Sequence, residues 1–208
     1  GKGAMGVVYR AEQIALGRVV ALKTVLINRM DDKSMLDRFE QEARTVGQLR
    51  HPNIIAAHDF GRHLSRLYFA MELVEGSDLD HWVKDQGPLD ERLIWGLARQ
   101  TAAGLAHAEQ HRVVHRDIKP ANLMLVPPPE GYPLPAGMPM VKIADFGLAL
   151  LRDEAQDETR LTATNATLGS PQYMAPEQME SSDVDFRADI YALGASVFHA
   201  LAGKTPFH

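Results

Sequence analysis

The first six residues, Gly1-Lys2-Gly3-Ala4-Met5-Gly6, restrict the fold more than any other stretch, because a strand-forming run comes straight after them. Glycines let backbone N–H groups approach phosphate oxygens with no Cβ in the way. The same spacing occurs in dinucleotide-binding folds, but there a helix comes directly afterwards. In this chain Val7-Val8-Tyr9 reads as a strand. A P-loop would need Lys followed by Ser or Thr after Gly6, and neither is there. Two readings remain: a plain glycine turn, or the tip of a β-hairpin folded over a nucleotide. Val7 to Arg10 and Val19 to Ile27, separated by Leu16-Gly17, supply the expected hairpin strands.

Further along, Met35, Leu36, Phe39, Ala43 and Val46 recur at helical spacing, predicting a helix from Asp32 to Arg50 that His51-Pro52-Asn53 ends. Ile54 to Phe60 and Arg66 to Val74 read as strands. Beyond Gly76 the character turns helical. Ser77 or Asp78 can cap a short helix, and Asp90 a long one carrying Leu93, Ile94, Leu97, Thr101, Leu105 and Ala108. Short strands are expected at Val113-Val114, Leu123 to Val126 and Met140 to Ile143, an exposed loop at Arg152 to Thr167, and a buried central helix from Arg187 to Ala202. Between Val126 and Met140 lie six prolines, which predict an extended or polyproline excursion on the surface. An SH3-type ligand is the other reading of that segment.

Composition narrows the function classes. With 45% hydrophobic and 24% charged residues the chain is ordinary globular protein. Twenty-two Lys plus Arg against 27 Asp plus Glu give −5, so no general basic field invites nucleic acid. The lack of cysteine removes disulfides, thiolate-held zinc and a thiol nucleophile. The uncharged run from Ile190 to Gly203 is too short to span a bilayer, and no signal peptide is visible. Opening on Gly1 and stopping at His208 soon after a helix, the sequence is expected to be a fragment.

Three groups of residues carry chemistry. Lys23, in Val20-Ala21-Leu22-Lys23, occupies an inward position of a strand and needs an anionic partner; Glu42 can supply one while Lys23 also holds phosphates. In His115-Arg116-Asp117-Ile118-Lys119-Pro120-Ala121-Asn122, Asp117 could accept or orient a hydroxyl proton. Lys119 could neutralise a transferring phosphoryl there, and Asn122 could hold a metal through its amide oxygen. Asp145-Phe146-Gly147 adds a carboxylate directly after a strand, a ligand suited to a hard cation such as Mg²⁺.

With Ala175-Pro176-Glu177 downstream, this order of motifs resembles the protein kinase family, specifically the bacterial eukaryotic-like serine/threonine kinases. The resemblance implies an α+β, bilobal protein kinase-like fold. Residues 1–71 would form an N-lobe of antiparallel sheet plus one helix, lacking the start of its first strand. Residues 72–74 would be a hinge, and 75–208 a mainly helical C-lobe lacking its last helices, with 126–140 a Pro-rich insertion. It implies ATP and Mg²⁺. Gly1, Gly3 and Gly6 would cover the phosphates; Val8, Ala21 and Met124 would sandwich the base. Met71 would be the gatekeeper, the Glu72 carbonyl and Val74 N–H would bind adenine, and Asp78 would meet the ribose. Lys23, held by Glu42, would fix the α- and β-phosphates. Asn122 and Asp145 would hold the metal, Lys119 would meet the γ-phosphoryl, and Asp117 would orient the acceptor. Asp189 would brace the backbone of the catalytic loop.

Lys119 and Ser170 both match serine/threonine rather than tyrosine kinases. Arg116 before the aspartate implies control by activation-loop phosphorylation, with Thr162 and Thr164 at the matching sites and Thr159 and Thr167 as weaker candidates. Protein substrates, self-association through the N-lobe, and a cytoplasmic catalytic domain whose parent is anchored in a membrane elsewhere are further expectations of the resemblance. From Asp117 to Asp145 is 28 residues, longer than the family usual because of the proline insertion. A pseudokinase scaffold and a small-molecule kinase are the rival readings. Lys23, Asp117 and Asp145 speak against the first, the Gly169-Ser170-Pro171 to Glu177 segment against the second.

Overall fold

The computed structural model describes residues 2–3, 6–26, 33–64, 66–146, 171–181 and 184–207. The chain divides into two compact units: 1–50 with 55–74, and 51–54 with 75–208. The first is a five-stranded antiparallel sheet, β1 (Lys2–Gly3), β2 (Gly6–Gln13), β3 (Arg18–Leu26), β4 (Ala57–His63) and β5 (Arg66–Glu72), in the order β1-β2-β3-β5-β4. One helix, α1 (Lys33–Val46), comes after β3. The β2–β3 hairpin is longer than its apolar residues predict, because register pairs run out to Gln13 opposite Arg18. A one-turn 3₁₀ helix at Ile14–Leu16 and Gly17, with φ +61°, reverse the chain there.

Helix α1 stops at Val46 rather than Arg50: Gly47 comes next, and a turn carries Leu49, 1% exposed, back into the core. The next strand likewise begins at Ala57; Ile54 makes only an isolated parallel bridge to Ile143.

The second unit holds β6 (Ser77–Asp78), α2 (Leu79–Gln86), α3 (Glu91–Gln110), β7 (Leu123–Val126), β8 (Met140–Ile143), α4 (Glu177–Glu180) and α5 (Arg187–Ala202), with β6, β7 and β8 forming a small sheet. Asp78 and Asp90 cap α2 and α3 through side-chain oxygens. Helix α3 packs on α5 and on β8. It comes close to β8 at Gly104, where a Cβ would lie 2.8 Å from Ile143 Cδ1. Ile94, Leu97, Ile118, Val141 and Ile143 make the fully buried core.

Three expectations need correction. Val113-Val114 is not a strand; the Val113 N–H instead closes the end of α3 on Ala108 O. Helix α5 buries Ala188, Ala192, Leu193 and Ala200 but leaves Ile190 and Phe198 about half exposed, so it is not buried all round. The proline segment is turned rather than extended: Tyr132 N–H donates to Pro129 O, Met138 N–H to Pro135 O, and Gly131 and Gly137 take φ +75° and +76°. It is also pinned. Gln100 Nε2 donates to Pro139 O at 3.0 Å, and Met138 lies where a Cβ on Gly96 would be. The turns and this anchorage do not present the polyproline helix an SH3-type ligand needs. The expected loop at 152–167 lies outside the described residues.

Candidate active site

In the first unit, strand register gathers four of the expected residues on one sheet face. Val8 is opposite Lys23, and Ala21 is opposite Met71. Alternation along β3 puts Ala21 and Lys23 on the same side. Lys23 is only 6% exposed, so it is no snorkelling surface lysine. Gly3 and Gly6 face each other across β1 and β2; Gly1 lies outside the described residues. Glu42 is half-buried on α1. At the end of β5 the Glu72 N–H donates to Ala56 O at 2.9 Å, and its carboxylate accepts from Ala56 N–H at 3.3 Å. Val74 closes the unit.

In the second unit Asp78 and Met124 are register partners across β6 and β7. Asp78 accepts from His81 N–H at 2.9 Å and pairs with the His81 ring at 2.9 Å. Its carboxylate is therefore engaged locally as a helix cap.

The segment from His115 to Asn122 is built around backbone held by side chains. Asp189, 3% exposed at the start of α5, accepts from His115 N–H at 2.7 Å and Arg116 N–H at 2.8 Å. Burial pushes its carboxyl above the ordinary range. Arg116 takes φ +64°, an uncommon conformation for a side chain of its size. His115 Nδ1 accepts from Asp117 N–H at 3.2 Å, so its Nε2 carries the proton donated to Ala144 O at 2.8 Å. That ring thus ties Asp117 to the residue before Asp145, with Phe146 edge-on at 4.5 Å.

Asp117, Lys119 and Asn122 converge. Lys119 Nζ lies 3.0 Å from Asp117 Oδ2, and Asn122 Nδ2 donates to that oxygen at 3.1 Å and to Asp117 O at 2.7 Å. Asn122 O accepts from Ala144 N–H at 2.8 Å, fastening the start of β7 to the end of β8. Asp145 comes next, with φ +66°. The group therefore offers a carboxylate with an ammonium and an amide on it, next to a strand end bearing a second carboxylate.

A family model described as the protein kinase domain matches residues 1–208. The chain belongs to that family. This kinase domain is 38% identical over 208 residues to the serine/threonine-protein kinase pkn3 of Myxococcus xanthus and 37% identical over 207 residues to PrkC of Bacillus subtilis. It is covered in full by both and spans 37% and 30% of their lengths, so it corresponds to about a third of the curated relatives it matches. The solved PknI kinase domain of Mycobacterium tuberculosis superposes with a TM-score of 0.75 at 29% identity, covering 100% of this chain and 72% of that one. The α+β kinase fold expected from the motifs is thereby established.

Sequence reasoning gave no role to several residues that organise the kinase domain's site. Gln100 accepts from Asn53 Nδ2 at 3.2 Å and from Val141 N–H at 3.0 Å, and Asn53 Nδ2 also donates to Val141 O at 2.8 Å. These amides seat the strand that leads to Asp145. Gln178 reaches the Arg116 carbonyl at 3.0 Å. None of these carries a charge or motif that would single it out in sequence. Thr159, Thr162, Thr164, Thr167 and Ser170 lie outside the described residues.

Just beyond them, Tyr173 shares a 2.7 Å hydrogen bond with His199 of α5. Burial, then the negative charge of Asp80, pushes the phenol up to about 12, above its ordinary 10.0. Because the folded value is the higher one, the stability tied to the neutral phenol is complete below pH 10 and is lost as pH rises through about 12. Urea midpoints taken stepwise from pH 9 to 12.5 are expected to fall more steeply for the wild type than for Tyr173→Phe. The difference should reach about 1–2 kcal/mol; parallel curves would show that this burial does not act on the phenol.

Proposed function

We propose that this kinase domain transfers the γ-phosphoryl group of ATP to serine and threonine hydroxyls of proteins. The observation that carries the reading is the convergence of Lys119 and Asn122 on Asp117. The names of the relatives, each a serine/threonine-protein kinase, support the choice of hydroxyl.

Phosphoryl transfer asks a protein mainly to position groups and neutralise charge. Asp117 orients the acceptor hydroxyl and takes its proton. Lys119 faces the transferring phosphoryl, and Lys23, held by Glu42, fixes the α- and β-phosphates under the backbone of Gly1, Gly3 and Gly6. Val8, Ala21 and Met124 enclose the adenine beside Met71, with the Glu72 carbonyl and Val74 N–H as its hydrogen-bonding edge and Asp78 toward the ribose.

The donor set suits Mg²⁺. Asn122 commits its amide nitrogen to Asp117, which leaves the amide oxygen as the ligand atom, and Asp145 supplies a carboxylate. Among the described residues no group of three acidic or histidine side chains could hold a metal by itself. That matches a cation held by one or two protein oxygens together with phosphate oxygens and water. When bound, Mg²⁺ neutralises charge on the β- and γ-phosphates.

The same reading includes autophosphorylation at Thr162 and Thr164, Ser170 beside the docked peptide, self-association through residues 1–71, and catalysis in the cytoplasm by a protein anchored elsewhere in its chain. No described helix is long and apolar enough to cross a membrane.

Intact mass of the purified protein, natural flanking sequence retained, is measured before and after Mg·ATP beside Asp117→Asn. Phosphate additions are expected in the wild type alone, mapping to Thr162 and Thr164. A folded, ATP-binding wild type that gains no mass and phosphorylates no protein would replace this reading by a nucleotide-binding scaffold.

A further inference from the structure

We infer that Gln178 is a positioning residue that couples the peptide-docking segment to the peptide unit carrying Asp117. The inference rests on the phosphotransfer reading for its consequence, but the coupling itself is a matter of geometry.

The Gln178 carboxamide is used at both ends. Its Nε2 donates to Arg116 O at 3.0 Å, and its Oε1 accepts from Ala175 N–H at 3.1 Å. Arg116 O and Asp117 N–H belong to one planar peptide unit. The oxygen side of that plane is held by Gln178 and the N–H side by His115 Nδ1 at 3.2 Å. One residue back, Asp189 holds the Arg116 N–H at 2.8 Å. Arg116 sits at φ +64°, a conformation that persists only when its surroundings over-determine it. Asp189 and His115 reach this backbone from the core of the unit. Gln178 alone of the three reaches it from the segment Pro171 to Glu180, and through Ala175, fully buried, it is joined to that segment's own backbone.

Rotation of the Arg116–Asp117 peptide plane would swing the Asp117 carboxylate, so losing the oxygen-side restraint loosens the orientation of the group that meets the acceptor. By the same link, any event that orders or displaces the docking segment is transmitted to Asp117 through one side chain. A change in the docking segment is thus felt at the reacting oxygen without either region touching the nucleotide.

Gln178→Met keeps the length of the side chain and loses both hydrogen bonds. Gln178→Glu keeps the acceptor for Ala175 but loses the donor to Arg116 O until its carboxyl is protonated. For both variants kcat for a serine peptide is expected to fall roughly 10- to 100-fold, with affinity for a non-hydrolysable ATP analogue unchanged and a cooperative urea transition retained at a lower midpoint. Exchange of the amides from His115 to Ile118 is expected to quicken. As pH falls from 8 to 5.5 the ratio of Gln178→Glu to wild-type kcat should rise, since a protonated carboxyl can donate again, while the Gln178→Met ratio stays flat. Unchanged exchange at 115–118 in a folded Gln178→Met protein overturns the coupling, as does an unchanged kcat where the wild type turns over. If the wild type transfers no phosphate yet exchange still quickens, the coupling stands and the phosphotransfer reading is what fails.

Discussion

Asp189→Ala is expected to lower the unfolding free energy by about 2–4 kcal/mol. The carboxylate is 3% exposed and accepts from two backbone N–H groups, one buried and one partly buried, at 2.7 and 2.8 Å. Truncation leaves both donors without that partner, at about 1–3 kcal/mol each. The total is less than the sum, because burial already holds the Asp189 carboxyl above its ordinary range and removing it relieves that cost. Arg116, at φ +64°, loses one of the bonds that keep it there. Urea unfolding monitored by circular dichroism measures the loss, and a change under about 0.5 kcal/mol, the size of an ordinary surface substitution, would mean that the two amides find other acceptors. Asp189→Asn, which keeps the shape and one carbonyl oxygen, is expected to fall between wild type and alanine.

Asp117→Asn makes the complementary case, a large kinetic effect with a small structural one. Asp117 Oδ2 accepts from Lys119 and from Asn122. An asparagine oxygen can take over that acceptor role, so the local backbone and the fold are expected to survive. On the proposed reading, what disappears is the anionic oxygen that would orient and deprotonate the acceptor. The expected loss in kcat is about 10²–10⁴-fold, with ATP-analogue affinity and the urea midpoint within twofold and about 0.5 kcal/mol of wild type. Single-turnover transfer to a serine peptide measures it. A variant that retained a fifth of wild-type kcat would show that another group handles the proton.

Much of this arrangement could be read from the sequence, for reasons that differ by element. Leu123–Val126, Met140–Ile143 and Arg187–Ala202 have the ends their apolar patterns predict: Pro127 comes directly after the first, Pro139 directly before the second, and Gly203 ends the third. Val113-Val114 failed because β-branched residues make a strand only when a neighbouring strand is there to pair, and here the chain is closing a helix. The end of α1 was missed by four residues because Leu49 is drawn into the core, a tertiary demand that outweighs local propensity. Among site residues, charged ones announced themselves through motifs. Asn53, Gln100 and Gln178 did not, because an uncharged amide acquires meaning only when a backbone group distant in sequence folds against it: Val141 O on Asn53, Val141 N–H on Gln100 and Arg116 O on Gln178.

The four residues His51–Ile54 belong to the second unit although the stretches before and after them, up to Arg50 and from Ile55, belong to the first. Asn53 Nδ2 donates to Gln100 and Val141, its carbonyl accepts from Ile143 N–H, and Ile54 bridges Ile143. During synthesis, then, the β4–β5 strands emerge long before α3 and β8 exist to receive the turn that precedes them. An expression piece cut after Val74 would leave that turn with its apolar isoleucine in water and its amide groups unmatched. The smaller unit is thus two stretches of chain, and the turn that joins them is completed only when residues up to Ile143 have been made.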